Sequence, residues 1–375
     1  MLDYYDQLKK SEHFTYKELR DLQFMKLRAL CKNFGIEINS WKDFYGLPLT
    51  SKEQLRNYIP KVPSYGLSQT SGRTGEPFRF ATPLERRAIN KATELRNWEW
   101  LGWRRQFSVR LTTGEPSRWM KLYNHFLHIA LRNSRTVNPS YVRLIRKRPF
   151  IIHGVPSAIR ELVWFSQKEK IGRSEAKCVV FGEDLSEHMS VLSDFFSGVY
   201  QSYGLSECVN VAFECQYHSL HVNMENCIVE EVDNEIVITN LNNYVTPFIR
   251  YRTGDRGHVK RSNCKCGRKF DIITGLQGRK VDFYASEDLK RPLGWWLASS
   301  LGHKYYKFFR KYKIEFSPKS KTITVYIIPK VSIDEAKRGL SSYLYWVKKE
   351  TGVRDVLLQF VDEIPTRSKP FEVIE

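Results

Sequence analysis

Residues 69–80, with the sequence QTSGRTGEPFRF, form a loop that limits what this chain can fold into and bind. Gly72 and Gly75 allow the backbone to turn its amides toward an anion, because no Cβ atom interferes. Hydroxyl and cationic side chains surround the two glycines, and they are Thr70, Ser71, Arg73 and Thr74. A Walker loop would carry a lysine and a hydroxyl directly after its last glycine, and this loop does not. The segment therefore indicates either a phosphate-binding loop of another type or a solvated turn between two strands.

The apolar pattern on both sides of the loop predicts a layered α/β fold. Residues 1–60 are expected to be helical, with a capped helix start near Ser51. From there to about residue 280, short apolar strands alternate with helical stretches, as in a layered α/β domain. These strands are predicted at Ser108–Thr112, 150–153, 178–181 and 198–200.

The pattern of apolar residues changes toward the C-terminus. Residues 227–238 alternate like a β-hairpin with Asp233 and Asn234 at its turn. Beyond residue 282 the order becomes helix, strand, strand, helix and strand, which is typical of a small α+β domain. We therefore predict a large N-terminal α/β domain at residues 1–279 and a small, mobile C-terminal α+β domain at residues 280–375.

Composition is compatible with two domains in a reducing compartment. A chain of 375 residues with 42% hydrophobic content can bury two cores. It contains no apolar run of about 18 residues, so we expect no membrane span. The first ten residues lack the features of a signal peptide. Seven cysteines form no regular disulfide framework, so we expect a cytoplasmic protein.

Two short Cys/His pairs predict a metal site. Cys215 and His218 form a CxxH pair, and Cys264 and Cys266 form a CxC pair on a polar loop. Thiolate and imidazole are the ligands that tetrahedral Zn²⁺ prefers. His221 is a rival for the imidazole position. Four protein ligands leave no open coordination position, so the zinc would be structural, and free reduced cysteines are the alternative.

The net charge of +19 requires an explanation in terms of a partner. Cations concentrate at residues 143–148 (RLIRKR) and at residues 304–313, where aromatic residues separate the lysines. Such a mixture can bind single-stranded nucleic acid, although the aromatic residues could instead point into a core below a solvated basic face. In either case the charge should attract anions such as ATP, an acidic carrier protein or a polyanionic glycan.

Four further motifs follow the loop, and they are QSYGLSE at 201–207, YVTPFIRYRTGDRGHV at 244–259, GRKVD at 278–282 and IPTRSKPFEV at 364–373. In this order and spacing, nearly the whole chain resembles the adenylate-forming (acyl-AMP ligase) superfamily, specifically the branch of phenylacetate–coenzyme A ligase and CapK-like proteins. The resemblance implies an AMP-forming ligase that uses ATP and Mg²⁺. It would convert a carboxylic acid into an acyl-adenylate and then transfer the acyl group to a thiol, amine or hydroxyl.

The resemblance also implies which residues bind the nucleotide. The loop from Thr70 to Gly75 would hold the β and γ phosphates, and Arg73 could add a direct contact. The tyrosine of YGLSE, Tyr203, would stack on adenine beside Gly204. The remaining contacts would come from Gly182 and Glu183 at the adenine, from Asp255 at the ribose hydroxyls and from Arg279 at the ribose or phosphate.

Three residues would carry the chemistry if the resemblance holds. Ser206 would meet the α-phosphate, and Glu207 would hold Mg²⁺ through oxygen. Lys369 would pair with the carboxylate and the α-phosphate during adenylation. The glycine that precedes this lysine in the family is absent here and Pro370 follows it, so Arg367 is a second candidate. Each residue also has a purely structural alternative; Asp255, for example, could brace a turn.

The sequence does not identify the carboxylic acid or the acceptor of the acyl group. Coenzyme A, a carrier protein, or an amine or hydroxyl of a sugar could receive the acyl group. Apolar side chains at Val209, Val211 and Phe213 suggest a pocket for an aryl or short acyl group. Two other functions are compatible with the sequence: a zinc-stapled nucleic-acid-binding protein, and a catalytically inactive homologue that serves as a scaffold.

Overall fold

The computed structural model describes residues 2–60, 65–70, 78–277, 283–365 and 370–374. Its helices are α1 (Leu2–Ser11), α2 (Tyr16–Asn33), α3 (Trp41–Tyr45), α4 (Lys52–Leu55), α5 (Arg86–Glu99), α6 (Arg118–Phe126), α7 (Val142–Arg146), α8 (Pro156–Lys168), α9 (Met189–Phe195), α10 (Trp295–Lys304) and α11 (Ile333–Thr351). Three short 3₁₀ turns lie at Ser134–Thr136, Pro139–Tyr141 and Tyr306–Phe308.

The strands are β1 (Gly66–Gln69), β2 (Arg79–Thr82), β3 (Ser108–Thr112), β4 (Ile129–Asn133), β5 (Ile151–Gly154), β6 (Ser174–Val180), β7 (Phe196–Tyr203), β8 (Ala212–Glu214), β9 (Leu220–Val222), β10 (Cys227–Val232), β11 (Glu235–Asn240), β12 (Tyr251–Lys260), β13 (Ile272–Gln277), β14 (Phe309–Ser317), β15 (Thr322–Pro329), β16 (Asp355–Phe360) and β17 (Phe371–Val373). No helix in these described ranges is long and apolar enough to cross a membrane.

The chain divides into two compact units. Of the described residues, unit 1 takes 2–60, 65–70, 78–104 and 200–277, and unit 2 takes 105–199, 283–365 and 370–374. The predicted domain boundary at residues 279 and 280 stays a prediction, because the hinge predicted at 278–282 lies outside the described residues.

Unit 1 is built on antiparallel strands in the order β10-β11-β12-β13-β9-β8-β7. The turn between β10 and β11 has Asp233 and Asn234 at φ of 53° and 61°, the left-handed values that two-residue hairpin turns require. Helices α2 and α3 cover one end of these strands, where Leu27 and Phe44 pack against Ile228 and Ile249. Both helices begin with a capping box, at Thr15 and Ser40, which satisfies their first backbone amides.

Unit 2 contains two sheets that share one hydrophobic core. Strands β4-β3-β5-β6 are parallel, and a four-stranded sheet has the order β16-β15-β14-β17. A buried ion pair joins helix α8 to the segment that precedes α10, because Arg291 donates to Glu161 at 2.5 Å. Arg135 adds a bond to Ser299 at 3.0 Å.

Most sequence predictions about the elements are confirmed. The mixed α/β class is as predicted, and so are the hairpin at residues 227–240 and the predicted strands, with shifts of a few residues at their ends. Strands β4, β8, β9, β12 and β13 were not predicted, and neither was β17. It pairs with β14 in parallel, which a three-residue segment cannot reveal by its own pattern.

A buried arginine ties helix α1 to the rest of unit 1. Arg96 on α5 is fully buried and donates to Glu225 at 3.0 Å and to Asn223 at 2.7 Å. It also donates to the carbonyl of Leu8 at the end of α1. The aromatic ring of Trp100 lies 4.6 Å from its guanidinium carbon. The N-terminal helix therefore depends on a charge that is fully removed from water.

We expect Arg96→Ala to lower the free energy of unfolding by about 3–5 kcal/mol, because it leaves the buried Glu225 carboxylate without its cation. Lys17→Ala is the matched control, since Lys17 and Asp21 form an exposed pair at 2.7 Å and such pairs contribute about 0.5 kcal/mol. Urea unfolding monitored by tryptophan fluorescence compares the two variants. A loss of less than about 1 kcal/mol in Arg96→Ala would contradict this assignment.

Candidate active site

The predicted phosphate loop connects two paired strands of unit 1. Strands β1 and β2 are antiparallel, with Gln69 opposite Arg79. Thr70 closes the base of the loop twice: its amide donates to the Phe78 carbonyl at 3.0 Å, and its hydroxyl accepts from the Phe78 amide at 2.9 Å. Ser71, Gly72, Arg73, Thr74 and Gly75 lie outside the described residues.

Asp255 lies in a bulge of strand β12. Glu235 pairs with Arg256 and Val237 pairs with Arg252, so residues 253–255 stand opposite Ile236 alone. Such a bulge re-aims the side chains that it carries. The amide of Gly254, at φ of 77°, donates to Glu235 at 2.8 Å, and the Thr253 hydroxyl donates to the Ile236 carbonyl at 2.6 Å.

The bulge brings two sequence-predicted nucleotide residues together. The Tyr203 hydroxyl donates to Asp255 Oδ2 at 2.9 Å, although 51 residues separate them along the chain. Burial, and after it the Asp255 charge, raises the pKa of the Tyr203 phenol well above its usual value. The phenol therefore stays protonated and serves as a donor. The ring itself is largely buried, and its predicted stacking on adenine stays a prediction.

Glu207, the last residue of the motif QSYGLSE that contains Tyr203, is buried. Its Oε1 accepts from the Tyr251 hydroxyl at 2.9 Å, and its carbonyl accepts from Asn240 Nδ2 at 2.8 Å. The carbonyl of Ser206 accepts from the Arg86 guanidinium. Strand β12 is therefore linked to both predicted carboxylates. Its first residue, Tyr251, donates to Glu207, and its fifth residue is Asp255 itself. The sequence motif contained Tyr251, but only the fold shows what its hydroxyl contacts.

Gly204 is required by a close approach of backbone. A Cβ atom at this position would lie 2.9 Å from the amide nitrogen of Asn210 and 3.5 Å from the carbonyl oxygen of Cys208. The turn after β7 folds back on itself here, and the Leu205 amide donates to the same Cys208 carbonyl at 2.9 Å. A glycine at this position allows the turn to hold Ser206 and Glu207.

Gly182 and Glu183 belong to unit 2. Gly182 has φ of 79°, a left-handed value that favours glycine. Both carboxylate oxygens of Glu183 are bonded to Ser157, to its amide at 3.0 Å and to its hydroxyl at 3.1 Å. Ser157 lies in the first turn of α8, where a carboxylate is favoured by the helix dipole. The predicted contact of these two residues with adenine stays a prediction.

Two predicted residues, Arg279 and Lys369, lie outside the described residues. The chain on both sides of Lys369 is fixed to β14. Lys311 donates to the Ile364 carbonyl, and the Ile314 amide donates to the Pro370 carbonyl at 3.1 Å.

Three of the four predicted metal ligands come together in unit 1. The ligand atoms of Cys215, His221, Cys264 and Cys266 all lie within 4.8 Å of one another. Cys215 Sγ is 3.6 Å from Cys264 Sγ, and Cys266 Sγ is 3.2 Å from His221 Nε2. Two hairpin ends supply them, because Cys215 follows β8, His221 lies in β9, and the CxC pair lies between β12 and β13.

The structure corrects the imidazole of this site from His218 to His221. His218 is in a left-handed turn at φ of 56°, where its ring stacks on Tyr200 with centroids 4.9 Å apart. Its Nδ1 lies 3.4 Å from Glu214, and the ring is outside the ligand cluster. His221, the rival imidazole, is fully buried on β9 opposite Ile272 of β13.

This donor set fits a tetrahedral dication. Sulfur ligands at about 2.3 Å from a Zn²⁺ centre lie about 3.8 Å apart, close to the spacing of Cys215 and Cys264. Burial lowers the pKa of His221 to about 4, so its imidazole is neutral and can offer a lone pair. Burial raises the pKa of the Cys215 thiol to about 12, which means that a cation must displace a proton there.

The structure places two sets of apolar side chains that the sequence analysis singled out. Val211 and Phe213, expected in an acid pocket, are fully buried, and Phe213 packs against Trp100 with centroids 6.1 Å apart. In the basic and aromatic segment at 304–313, Phe309 and Tyr312 point into the core of unit 2. The core alternative is therefore confirmed for these two rings.

The fold is similar to crystal structures of 2-hydroxyisobutyryl-CoA ligase. The complex with 2-HIB-AMP and CoA in the thioesterification state has a TM-score of 0.63 at 16% identity, covering 97% of this chain and 91% of that chain. The postadenylation complex with 2-HIB-AMP has a TM-score of 0.56 at 18% identity, covering 95% and 88%. An open conformation with 2-HIB-AMP and CoA has a TM-score of 0.57 at 17% identity, covering 94% and 90%.

The fold is therefore shared with these ligase structures. No protein-family model matches the sequence, and a search of curated proteins finds no match. At identities of 16–18% the similarity concerns the fold, and the residues of the site rest on the geometry described above.

We expect Gly204→Ala to lower the free energy of unfolding by about 1–3 kcal/mol, because its methyl group would overlap the Asn210 amide. Gly46→Ala is the control. Gly46 has φ of −78°, and the nearest atoms to a Cβ there are 3.4 Å away. Its change should stay within about 0.5 kcal/mol in the same urea titration. Equal stability of the two variants would show that the turn after β7 has room for a side chain.

Proposed function

We propose that this protein is an adenylate-forming ligase that activates a small carboxylic acid with ATP and Mg²⁺ and then transfers the acyl group. The fold is compatible with this chemistry, and the motifs occur along nearly the whole chain. The observation that carries the proposal is the hydrogen bond from Tyr203 to Asp255, because it joins two motifs that the resemblance assigns to one adenosine.

In the proposed site, Asp255 binds the ribose hydroxyls of ATP. An ionised carboxylate accepts two strong hydrogen bonds from a vicinal diol. The bulge at residues 253–255 holds the backbone of Asp255 in place, and Tyr203 orients the carboxylate through Oδ2. A ribose that bonds to the same carboxylate would therefore meet a group that needs little reorganisation.

In the proposed site, the carboxylate of Glu207 binds the magnesium ion. A carboxylate oxygen suits this hard cation, which prefers oxygen ligands. Tyr251 fixes the carboxylate by donating to Oε1, and the bond from Arg86 to the Ser206 carbonyl fixes the backbone beside it. Bound Mg²⁺ would neutralise charge on the phosphates while the acid attacks the α-phosphate.

Lys369 and the loop at residues 70–75 complete the proposed site. The loop amides and hydroxyls would hold the leaving pyrophosphate, with Thr70 fixing the loop base through Phe78. Lys369 would neutralise the acid carboxylate and the α-phosphate as they meet, with Arg279 supporting the ribose or phosphate. Ser206 would meet the α-phosphate. Gly182 and Glu183 would border the adenine.

For the acceptor we propose coenzyme A as the first candidate. The ligase structures that share this fold contain CoA or an acyl-AMP. The motifs favour the phenylacetate–coenzyme A ligase and CapK-like branch, in which a carrier-protein thiol or a sugar amine or hydroxyl are the other candidates. We propose the cytoplasm as the compartment.

We also propose a structural zinc ion held by Cys215, His221, Cys264 and Cys266. Three thiolates and one imidazole occupy all four tetrahedral positions, so the ion would have no open position for chemistry. It would join the β8–β9 turn to the β12–β13 loop.

The inactive-scaffold alternative keeps one supporting observation, the proline after Lys369. It predicts that the protein binds nucleotide without turnover. The nucleic-acid alternative predicts binding that weakens steeply with salt and that does not need Asp255.

We expect pyrophosphate exchange into ATP with one or more members of a carboxylic acid panel. Asp255→Asn should slow exchange at limiting ATP roughly 10- to 150-fold, because a hydrogen bond to a charged group contributes about 1.5–3 kcal/mol. The substituted side chain has the same size and can still accept from Tyr203. Asp21→Ala, which removes an exposed acid of the same unit, should leave the rate unchanged.

Lys369→Ala separates the alternatives in the same assay. The ligase predicts loss of exchange with ATP binding retained. No exchange in the wild-type protein over the whole panel, together with measurable ATP binding, would favour the scaffold. Exchange that is unaffected by Asp255→Asn would contradict the proposed ribose contact.

We expect the purified protein to contain about one zinc ion per chain by plasma mass spectrometry. His221→Ala and Cys264→Ser should lower zinc affinity by more than roughly tenfold, because each removes one of four ligands. His218→Ala is the matched control and should keep its zinc. Retention by His221→Ala together with loss by His218→Ala would restore the ligand set that the sequence predicted.

A further inference from the structure

Helix α6 exposes its apolar face. Trp119 is 80% exposed and Phe126 is 73% exposed, whereas Asn124 is only 4% exposed. At about 100° per residue, the large apolar side chains occupy one continuous sector of about 160°. We call this sector the α6 face, and its residues are Trp119, Met120, Leu122, Tyr123 and Phe126.

This arrangement is the reverse of an ordinary surface helix, which buries its apolar stripe. Local bonds hold the helix in this orientation. The Ser117 hydroxyl accepts from the Met120 amide at 3.2 Å at the helix start, and the buried Asn124 donates to the Met120 carbonyl at 2.9 Å. A contiguous exposed apolar patch of this kind marks an interaction surface.

The surroundings of the α6 face are strongly cationic. Residues 105–160 contain eleven lysines and arginines and a single acidic residue, Glu115. On the helix itself, Arg118 and Lys121 are exposed and lie on the side away from the α6 face. Lys121 and Glu115 form an exposed pair at 2.7 Å.

More cations line the edge of the sheet where α6 ends. Arg105, His128 and Arg148 occupy left-handed turns just before β3, β4 and β5. These parallel strands are neighbours, so their amino ends meet at one edge. The Ser108 amide donates to the His128 carbonyl there at 2.9 Å. We call this edge the basic edge, and its exposed cations are Arg105, Arg146, Lys147 and Arg148.

We propose that the α6 face and the basic edge dock this protein on an anionic lipid surface. Tryptophan, tyrosine, phenylalanine and leucine on one side of a short helix suit the boundary between headgroups and acyl chains. Lysine and arginine on the polar side of α6 and at the basic edge pair with phosphate headgroups, and each cation near such a surface increases binding roughly fivefold. The docking requires no residue assigned to the nucleotide.

Other occupants match the surface less well. A second copy would bring two clusters of like charge together, and the whole chain carries +19. Single-stranded nucleic acid would use the cations and stack on aromatic rings, but it offers nothing for Met120 and Leu122. Of these three occupants, an anionic bilayer supplies both an apolar layer and a dense negative charge.

The experiment is co-sedimentation of the full chain with two kinds of vesicle. One is phosphatidylcholine alone, and the other is an equal mixture of phosphatidylcholine and phosphatidylglycerol. We expect at least tenfold tighter binding to the anionic vesicles, with loss of that preference at high salt. Bound protein should also show quenching of Trp119 fluorescence by lipids brominated in the acyl chain, and Trp119→Phe should remove that part of the quenching.

Variants locate the contact. Trp119→Glu and Phe126→Glu should each weaken anionic-vesicle binding at least tenfold, and both positions are exposed enough for the fold to tolerate the change. Tyr345→Glu is the matched control, because Tyr345 is 71% exposed on α11 of the same unit. It should bind as the wild type does. Circular dichroism of every variant confirms that the helix content is unchanged.

Three results would overturn the proposal. The first is equal binding to neutral and anionic vesicles, and the second is equal weakening by Tyr345→Glu. The third is absence of vesicle binding together with a dimer or an RNA complex that Trp119→Glu abolishes, which would assign the α6 face to a different occupant.

Discussion

Strand β12 is the constraint on which the proposed site depends. Along it, Tyr251, Thr253 and Asp255 face inward, and the residues between them are exposed. Tyr251 reaches Glu207 and Asp255 reaches Tyr203, so one strand fixes the two carboxylates that the proposal assigns to magnesium and ribose. The bulge opposite Ile236 adds two residues and sets where the Asp255 carboxylate lies.

The cluster of three cysteines and His221 lies at the far end of the same strand. Cys264 and Cys266 belong to the loop that leads from β12 to β13, and β13 pairs with β9, which carries His221. The Gly267 amide donates to the Cys264 carbonyl at 3.1 Å, which makes this loop a tight turn. A zinc ion would close the loop without a large core around it. The zinc ion and the bulge at residues 253–255 would then hold the two ends of β12 in place.

The sequence predicted elements whose signal is local. Helix α11 is the second helix of the order predicted beyond residue 282, and the turn at Asp233 and Asn234 was predicted from residue type. Features that depend on a partner strand were missed. The choice of His221 over His218 depends on the pairing of β9 with β13, and the role of Tyr251 depends on the turn that carries Glu207.

Helix α6 shows the same limit at the surface. Its large apolar residues lie on one side of the helix, and such a side ordinarily packs inward. The structure buries Asn124 and leaves Trp119 exposed, because the side that meets β4 is set by where β3 ends and β4 begins. The free energy that burial of these side chains would supply is therefore not used in folding. It is available to a partner, and the cations of the basic edge determine the charge that the partner must carry.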